Sequence, residues 1–372
     1  MADFSPVIGR VFGIDIQIHW TLLILLIFSL ISPVFFIIIL LLWVCVFLHE
    51  LSHSFIALKN KIKVKKIVLN LLGGASMIDT DKLKQDIEFK ISIIGPIVSI
   101  FLGLLFGIFV IYLNGGILKQ IIQSLFLLNM LLGILNLLPA FPLDGGRVFR
   151  SYLEKTRDFV KSTQITAKST NIIAFLIIAG SLIYVGIESS SLIYKEFFVF
   201  WDIIIALFLY SGAQAELQSV YIKKYSSKLH AKDAMTKNFI LVKQPKTIDE
   251  IYNYILKFHT HLILFKDNNK IYLVSKFKNI YRQKNLISKN IANSNIIKSI
   301  SIQIPAIQYN MPLSKGLDLM GSNETSIIAV TKKNQVIGVL LESHVESIIS
   351  LQMSKELNKI NRKNEKTKKN NN

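Results

Sequence analysis

Six runs of apolar residues fill much of the first 218 positions and most constrain what this chain can fold into. The hydrocarbon core of a bilayer is about 30 Å thick, and a helix needs about 20 residues to cross it. The third and fourth runs meet that length, whereas the first, fifth and sixth need part of their flanks. The runs occupy residues 20–31, 34–58, 91–113, 117–138, 171–187 and 197–211. We therefore predict an α-helical membrane domain over residues 1–218 with about six transmembrane helices.

The placement of basic residues agrees with these spans. The chain holds 43 Lys and Arg against 24 Asp and Glu, yet 51% of it is apolar, which excludes a disordered basic tail or a simple nucleic-acid binder. With a cytoplasmic N-terminus, the cytoplasmic loops 59–90 and 139–168 hold fourteen Lys and Arg, and the outer loops hold only Lys119 and Lys195. Membrane proteins show this cytoplasmic excess. We expect a multi-pass cell-membrane protein that contacts the lipid bilayer, has both termini in the cytoplasm, and binds no nucleic acid.

Residues 49–53 read His-Glu-Leu-Ser-His near the end of the second run. Positions i and i+4 share a helix face, so His49 and His53 can bind one metal ion, and Glu50 beside them can take a proton from water. Ionisable groups inside a span are costly and usually functional. The alternative is snorkelling at a helix end, which is a habit of Lys and Arg. The histidines precede Lys59 by ten and six residues, which places them roughly 9–15 Å inside the cytoplasmic face.

A catalytic zinc usually takes three protein ligands and a water, so a third ligand is expected from another segment. Residues 136–147 end the fourth run and read Asn-Leu-Leu-Pro-Ala-Phe-Pro-Leu-Asp-Gly-Gly-Arg. The prolines prevent a regular helix, and irregular backbone at membrane depth is tolerated only where it lines protein or a water-filled cavity. Asp144 is therefore a candidate third ligand, and Asn136 a candidate donor to the scissile carbonyl or the developing oxyanion. The alternative for Asp144 is a turn aspartate before Gly145 and Gly146, which allow a tight turn.

Together the two motifs resemble those of the site-2 protease family of intramembrane zinc metalloproteases. Over about residues 1–350 the chain is similar to prokaryotic members that carry a C-terminal pair of CBS modules. The resemblance implies one Zn²⁺ per chain bound by His49, His53 and Asp144. It implies that Glu50 is the general base and that Asn136 assists transition-state stabilisation. It also implies membrane-spanning regulatory protein substrates, such as anti-sigma factors or membrane-tethered transcription factors.

Two other segments resemble family features more loosely. Gly73 and Gly74 resemble a Gly-Gly loop that dips into the membrane and binds an extended substrate strand, with an ordinary flexible loop as the alternative. In Gly-Pro-Ile-Val-Ser, residues 95–99, Ser99 stands where the family motif has Asn. A serine can still hydrogen-bond, so activity is not excluded.

Two residues near the motif have alternative interpretations. His19, at the start of the first run, is either an extra or inhibitory metal ligand or an interfacial histidine beside Trp20. Cys45, four residues before His49, is expected to be a buried inert thiol. It is the one cysteine of the chain, so a Cys-rich zinc site is excluded.

The composition changes after about residue 218. Residues 228–350 alternate short β-branched strands with helical stretches, which is typical of a small soluble α/β domain. Each half has an apolar strand, a Lys/Asn turn, a second strand and a helix, which indicates one unit repeated. The domain resembles a tandem CBS pair with modules at about 228–285 and 296–350. The basic, Asn-rich tail over 351–372 is expected to be disordered.

The resemblance of this pair to nucleotide-binding CBS modules is incomplete. Such modules place Ser or Thr and then Asp after a signature strand, to hold phosphate and ribose. Here the first module has Ser275 and Lys278, and the second has Leu341 and His344, so both lack the acid. The pair therefore binds no adenine nucleotide or binds it differently. A structural, homodimerising or substrate-gating role is at least as well supported.

The favoured prediction is an intramembrane zinc metalloendopeptidase whose CBS-like pair regulates activity or substrate access. The alternative is a non-catalytic zinc-binding membrane receptor or pseudoprotease regulated through the pair. Glu50 argues against it, because loss of the base would be the simplest mark of an inactive enzyme. A transporter would show internal repetition among its spans, and the sequence shows none. The apolar runs exclude a soluble zinc protease.

Overall fold

The computed structural model describes residues 5–70, 73–78, 83–187, 192–242, 248–258, 262–267, 270–274 and 301–355. The chain divides into two compact units, Met1–Gln218 and Ser219–Asn372. The first unit carries long apolar helices and one sheet, and the second carries two sheets with shorter helices. The predicted fold class, a helical multi-span membrane domain followed by an α/β domain, is confirmed.

Within the described residues, five helices are long and apolar enough to cross a membrane. They are α2 (Pro33–Lys59), α3 (Gln85–Tyr112), α4 (Gly116–Asn136), α6 (Phe159–Ile187) and α7 (Leu192–Ser226). The first predicted span differs from them. It is a helix of 10 residues, α1 (Trp20–Ser29), which rises only about 15 Å. A second helix of 10 residues, α5 (Asp144–Leu153), follows the proline-containing segment.

The residues ahead of α1 form a strand because apolar and polar positions alternate there. In β2 (Ile14–Ile18), Ile14 and Ile16 are buried and the polar residues between them are half-buried. This strand pairs antiparallel with β1 (Val7–Val11) and parallel with β3 (Val64–Asn70). β3 pairs antiparallel with β4 (Gly73–Ile78), so the order β1-β2-β3-β4 leaves β4 at an edge. The sheet shares an apolar core with α1, α2 and the start of α3.

Local signals set the ends of α2, which carries the His-Glu-Leu-Ser-His motif. The Ser32 side-chain oxygen accepts the backbone N–H of Phe35 at 3.5 Å, and Pro33 takes the first helical position. At the other end, Lys61 adopts a left-handed φ of 61° and turns the chain toward β3. The helix has 27 residues and is about 40 Å long. The motif therefore lies two to three turns before its basic end.

The second unit is built from a helix followed by a hairpin, twice. Within the described residues its helices are α8 (Ala231–Ala234), α9 (Ile248–Phe258), α10 (Leu313–Ser322) and α11 over 342–355. Residues 351–355 of the tail predicted to be disordered are thus helical, and residues 356–372 lie outside the described residues. Its strands are β5 (Ile240–Val242), β6 (Ile263–Asp267), β7 (Lys270–Val274), β8 (Ser301–Ile304), β9 (Ala306–Gln308), β10 (Ile327–Lys332) and β11 (Gln335–Leu341). They form two sheets, ordered β5-β6-β7-β8 and β11-β10-β9. Each half thus contains the hairpin that the sequence repeat predicts, and the helix predicted after the first hairpin lies outside the described residues.

The two halves of this unit are joined by backbone hydrogen bonds at their junction. The Thr236 N–H donates to the carbonyl oxygen of Val339 at 2.8 Å, and the Val339 N–H donates back at 3.0 Å. Conversely, β8 pairs with β7 of the first half. A Cβ at Gly338 would collide with the Met235 side chain, so β11 lies close to the residue that follows α8. One apolar cluster contains residues of both halves, and the two therefore fold as one body.

Candidate metal centre

Two imidazole rings and one carboxylate converge in the first unit. His49 and His53 lie one turn apart on α2, with ring centroids 4.8 Å apart. Asp144, the first residue of α5, places Oδ2 3.1 Å from His49 Nε2 and 3.2 Å from His53 Nε2. The histidines are only 4% and 6% exposed. The structure thus brings the three residues predicted as ligands around one point.

The helix α3 supplies the outer partners of both histidines. Ser99 Oγ lies 2.8 Å from His49 Nδ1, and the carbonyl oxygen of Ile91 lies 2.6 Å from His53 Nδ1. A carbonyl only accepts, so His53 Nδ1 donates to it, and in the neutral ring Nε2 then has the lone pair that a metal ion binds. A Cβ at Gly95 would collide with both rings. Because each outer nitrogen is held by a fixed group, both Nε2 atoms face the same point.

Glu50 lies between the histidines in sequence, but its carboxylate turns toward β4. Ser76 donates its hydroxyl to Glu50 Oε2 at 2.8 Å and lies 3.1 Å from the Glu50 carbonyl oxygen. Gly74 packs so closely that a Cβ there would overlap the Glu50 side chain. The strand therefore orients the carboxylate. Gly74 must be a glycine because the carboxylate occupies the space of a side chain.

The proline-containing segment over 137–143 folds back onto the start of α5. A Cβ at Gly145 or at Gly146 would collide with the backbone of this segment. The glycines are therefore required by a close approach of two backbones inside a helix, which differs from the tight turn expected at this point. Phe141 is fully buried, and its N–H donates to Thr170 Oγ1 at 2.9 Å. This packing sets where α5 begins, and hence where the Asp144 carboxylate lies.

The donor set fits a zinc ion. Tetrahedral zinc with bonds of about 2.0–2.2 Å to nitrogen and oxygen separates its donor atoms by roughly 3.3–3.5 Å. The distances of 3.1 and 3.2 Å from Asp144 Oδ2 to the two Nε2 atoms are close to that separation. Glu50 is a competing ligand, since its carboxylate and both histidines lie within 4.8 Å of one another. Asp144 fits better, because one of its oxygens contacts both rings whereas Glu50 Oε2 is held by Ser76.

Comparison with known proteins assigns the chain to a family. The model for Peptidase family M50 matches residues 36–123 and 114–180, which include the histidines, Glu50 and Asp144. A zinc metalloprotease of Methanocaldococcus jannaschii is 32% identical over 295 residues, which cover 77% of this chain and 82% of the relative. The chain belongs to peptidase family M50. The resemblance to the site-2 proteases is thereby confirmed, and this M50 peptidase is a member of a zinc metalloprotease family.

Two further proteins are similar to this M50 peptidase. A putative zinc metalloprotease of Mycobacterium tuberculosis, Rip3, is 25% identical over a gapped alignment of 387 positions, which covers 94% of each chain. The solved site-2 protease from Methanocaldococcus jannaschii is 33% identical and covers 57% of this chain and 95% of that one, with a TM-score of 0.44.

Other predicted site residues are not joined to this centre. Asn136 is the last residue of α4, and its Nδ2 donates to the Leu132 carbonyl oxygen at 3.0 Å. Within the described residues, no hydrogen bond connects it to the three ligand candidates, so its catalytic role stays a prediction. Gly73 begins β4 with a φ of 136°, a backbone angle that favours glycine.

The two ambiguous residues of the sequence have ordinary structural positions. His19 caps α1, where its Nδ1 lies 2.8 Å from Thr21 Oγ1, and its backbone N–H donates to the Leu69 carbonyl oxygen at 2.8 Å. Its ring lies beside Trp20, with centroids 5.6 Å apart. Cys45 is free and buried.

Sequence reasoning missed Ser76 and the buried ion pair of Glu88 with Arg150. A single serine in a strand has no pattern that marks it. The ion pair had only a partial signal, because Glu88 precedes an apolar run but Arg150 lies twelve residues after one ends.

The second unit contains a cavity of about 550 Å³ with both apolar and polar residues in its lining. Three carboxylates also line it, those of Glu324, Glu342 and Glu346. Their negative charge opposes the binding of phosphate groups. Of the four predicted nucleotide positions, Ser275 and Lys278 lie outside the described residues. Leu341 and His344 offer no carboxylate to a ribose.

Proposed function

We propose that this M50 peptidase is an intramembrane zinc metalloendopeptidase. It hydrolyses peptide bonds within or near transmembrane segments of membrane-tethered regulatory proteins. The observation that carries the proposal is the meeting of His49 and His53 with Asp144, beside Glu50, on a long apolar helix. Two histidines and a glutamate within such a helix, joined by an aspartate from α5, are costly unless they bind a metal and do chemistry.

The residues of the centre have different roles in hydrolysis. Zinc held by His49, His53 and Asp144 supplies a Lewis acid for the scissile carbonyl and the attacking water. Glu50 accepts the proton of the water on Oε1, the oxygen that Ser76 does not hold, and returns it to the leaving nitrogen as the C–N bond breaks. One water is thus added across the peptide bond, and a carboxylate and an amine are released.

Asn136 is proposed to stabilise the oxyanion that forms on the scissile carbonyl. Its Nδ2 donates to the Leu132 carbonyl oxygen at the end of α4. An amide N–H at the end of a helix can exchange that acceptor for a substrate oxygen when a substrate is bound. Neutral donors of this kind act mainly on the charge that develops in the transition state.

The substrate is proposed to bind as an extended strand beside β4. This strand is at the edge of its sheet, and Gly74 within it touches Glu50, so a strand added there would pass the proton acceptor. A helical substrate hides its carbonyl groups in hydrogen bonds and must unwind locally before attack. Substrate segments interrupted by Gly or Pro fit this requirement.

We propose a cell-membrane topology in which β2 and α1 together make one crossing. β3 starts just after the Lys-rich end of α2, which is the proposed cytoplasmic side. β2 runs parallel to β3, so β2 and then α1 lead away from the cytoplasmic side. Five strand residues rise about 16 Å and ten helical residues about 15 Å, which matches a core of about 30 Å. Bonds to β1 and β3 satisfy the β2 backbone. With five long helices the crossings number six, and both termini lie in the cytoplasm.

Residues 228–350 are proposed to act as a CBS-like pair that regulates activity or substrate access. The helix α7 is continuous from Leu192 to Ser226, and the boundary between the two units falls within it, after Gln218. On this helix Glu216 lies 3.4 Å from Arg147, which follows Asp144 by three residues on α5. A displacement of α7 therefore has a short path to the third ligand.

An adenine nucleotide and a second copy of the chain are the two partners to consider for this CBS-like pair. The carboxylates that line its cavity favour regulation without an adenine nucleotide there. Homodimerisation through the pair is the second possibility, and sedimentation of the detergent-solubilised protein measures it.

Cleavage of a single-span model substrate in liposomes tests the activity. The wild-type protein should cleave it, and Glu50→Gln should still bind zinc but lose cleavage by roughly 10²–10⁴-fold. A chelator should stop cleavage, and added zinc should restore it. Glu196→Gln, which changes an exposed glutamate of α7, is the matched control. Cleavage by Glu50→Gln would refute the mechanism, and zinc binding without cleavage of a panel of substrates would favour the receptor alternative.

A further inference from the structure

A buried cluster of charged side chains surrounds Arg150 on α5. The Arg150 side chain is only 7% exposed. Its guanidinium is ion-paired with Glu88 on α3, and it lies 3.4 Å from Glu216 on α7. A third carboxylate, that of Glu154 just after α5, lies 3.9 Å away. One arginine therefore connects α5 to two of the long helices.

Two aromatic rings complete the environment of this guanidinium. Its carbon lies 5.4 Å from the ring centroid of Phe141 and 4.8 Å from that of Phe159. Phe159 is the first residue of α6. Phe141 belongs to the segment that folds back onto the start of α5. Arg150 thus also connects α5 to the segment that sets its first residue.

A buried ionic cluster needs a reason other than stability. Removing charges from water is costly, and apolar residues of similar volume are often as stable as a buried ion pair. What the cluster does specify is orientation, because a guanidinium fork accepts carboxylates only in certain directions. The helices that it orients carry the metal centre: α5 begins with Asp144, and α3 carries Ser99 and the Ile91 carbonyl that hold the histidine rings.

We propose that Arg150 is a positioning residue for Asp144. Through Glu88 it fixes the helix that begins with the third ligand against the helix that orients both histidines. The inference rests on the proposed function, since it takes His49, His53 and Asp144 to be the zinc ligands. Arg150 follows Asp144 by six residues, about 9 Å along the helix, so it acts through the backbone and touches no ligand.

Zinc affinity is the quantity that this role should change. Partners outside the ligand shell typically alter metal affinity by about 10–100-fold when they are removed. Arg150→Met keeps most of the volume but loses the charge and the fork, so its zinc dissociation constant should rise by about 10–100-fold. Arg150→Lys keeps the charge without the fork and should bind zinc with an intermediate constant. A purely packing role would instead lower the unfolding temperature of the metal-free protein and leave zinc affinity unchanged.

The test uses the full chain in detergent, stripped of metal and titrated with zinc against a chelating indicator. Thermal unfolding of each metal-free variant is measured in parallel. Glu88→Gln is the second variant, because it removes the carboxylate through which Arg150 is proposed to act and leaves the arginine in place. Arg157→Met is the matched control, since Arg157 is an exposed arginine four residues after the end of α5. We expect the control to bind zinc within about twofold of wild type.

The results separate this inference from the proposed function. If Arg150→Met binds zinc as the wild type does while its unfolding temperature falls, the positioning role is wrong. If Arg150→Met does not fold, unchanged zinc affinity in both Arg150→Lys and Glu88→Gln refutes it equally. If the wild type binds no zinc, the proposed function has failed. The same holds if the His49→Ala and His53→Ala variants still bind zinc.

Discussion

The hydroxyl of Ser76 lies 2.8 Å from Oε2 of Glu50 and ties β4 to the proposed proton acceptor. The same hydroxyl lies 3.1 Å from the Glu50 carbonyl oxygen. This pair of contacts restricts the side-chain torsions of Glu50 and leaves Oε1 available to a water. The edge strand proposed to bind substrate and the group proposed to move the proton are therefore one hydrogen-bonded unit.

Replacing Ser76 should slow the reaction without loss of the metal. A hydrogen bond to a charged group contributes about 1.5–3 kcal/mol, so Ser76→Ala should lower kcat by about 10-fold or more, with KM and zinc content near wild type. Cleavage kinetics in liposomes measure this. Ser52→Ala is the control, because the Ser52 hydroxyl donates to the His49 carbonyl oxygen within its own helix. An unchanged kcat in Ser76→Ala would show that β4 does not orient the base.

The Ser99 hydroxyl should matter for zinc affinity. It lies 2.8 Å from His49 Nδ1, and loss of such a partner typically weakens metal binding by about 10–100-fold. Ser99→Ala should therefore raise the zinc dissociation constant by that factor in an indicator titration. Ser92→Ala removes another buried hydroxyl from the same helix and should leave the constant unchanged. Equal constants for the two variants would contradict the role of Ser99.

The ligand candidates were predictable because metal binding requires particular residue types at particular spacings. His49 and His53 share a helix face by the helical period alone. Asp144 was recognisable as an acid in a segment where prolines break a membrane helix. Ser76 was not predictable, because its contact with Glu50 depends on the pairing of β3 with β4 and on the packing of that sheet against α2.

The first proposed membrane crossing shows what hydropathy alone does not predict. Apolar content counts residues but does not distinguish a long helix from a strand followed by a short helix. The alternation of Ile14, Ile16 and Ile18 with polar residues was a strand signal of period two. The parallel partner of this strand, β3, lies about 50 residues away in the chain, and no local pattern predicts such a pairing.

The stability of the protein should depend on the protonation of Glu154. Burial and the neighbouring carboxylate of Glu88 raise the Glu154 pKa to about 7, although Arg150 opposes the rise. An unfolded chain titrates its glutamates near pH 4.3, about the model-peptide value. The folded state therefore binds more protons between these values. This contribution to stability is complete below about pH 4.3 and is lost as the pH rises through about 7.

Unfolding temperatures of the detergent-solubilised protein between pH 5 and pH 8, a range chosen around the Glu154 pKa of about 7, measure this effect. Glu154→Gln should flatten the decline with rising pH, because glutamine has no proton to lose. Glu196→Gln changes an exposed glutamate and should keep the wild-type slope. An identical slope in Glu154→Gln and wild type would show that the Glu154 pKa is not raised.

Alanine substitutions at two glycines should distinguish loss of the metal from loss of the base. A Cβ at Gly95 would collide with the rings of His49 and His53, whereas a Cβ at Gly74 would collide with Glu50. Gly95→Ala should therefore lose zinc and activity together. Gly74→Ala should keep zinc but lose cleavage by about 100-fold, because a displacement of about 1 Å at a reacting group has an effect of that size.

The control for both glycines is Gly180→Ala, since Gly180 lies in α6 with open space where a Cβ would be. Alanine also suits a helix better than glycine, so this variant should fold and cleave as the wild type does. Zinc content by elemental analysis and cleavage of the model substrate are measured on the same preparations. If Gly74→Ala lost zinc as Gly95→Ala does, Glu50 would be a metal ligand rather than the base. That result would exchange the proposed roles of Glu50 and Asp144.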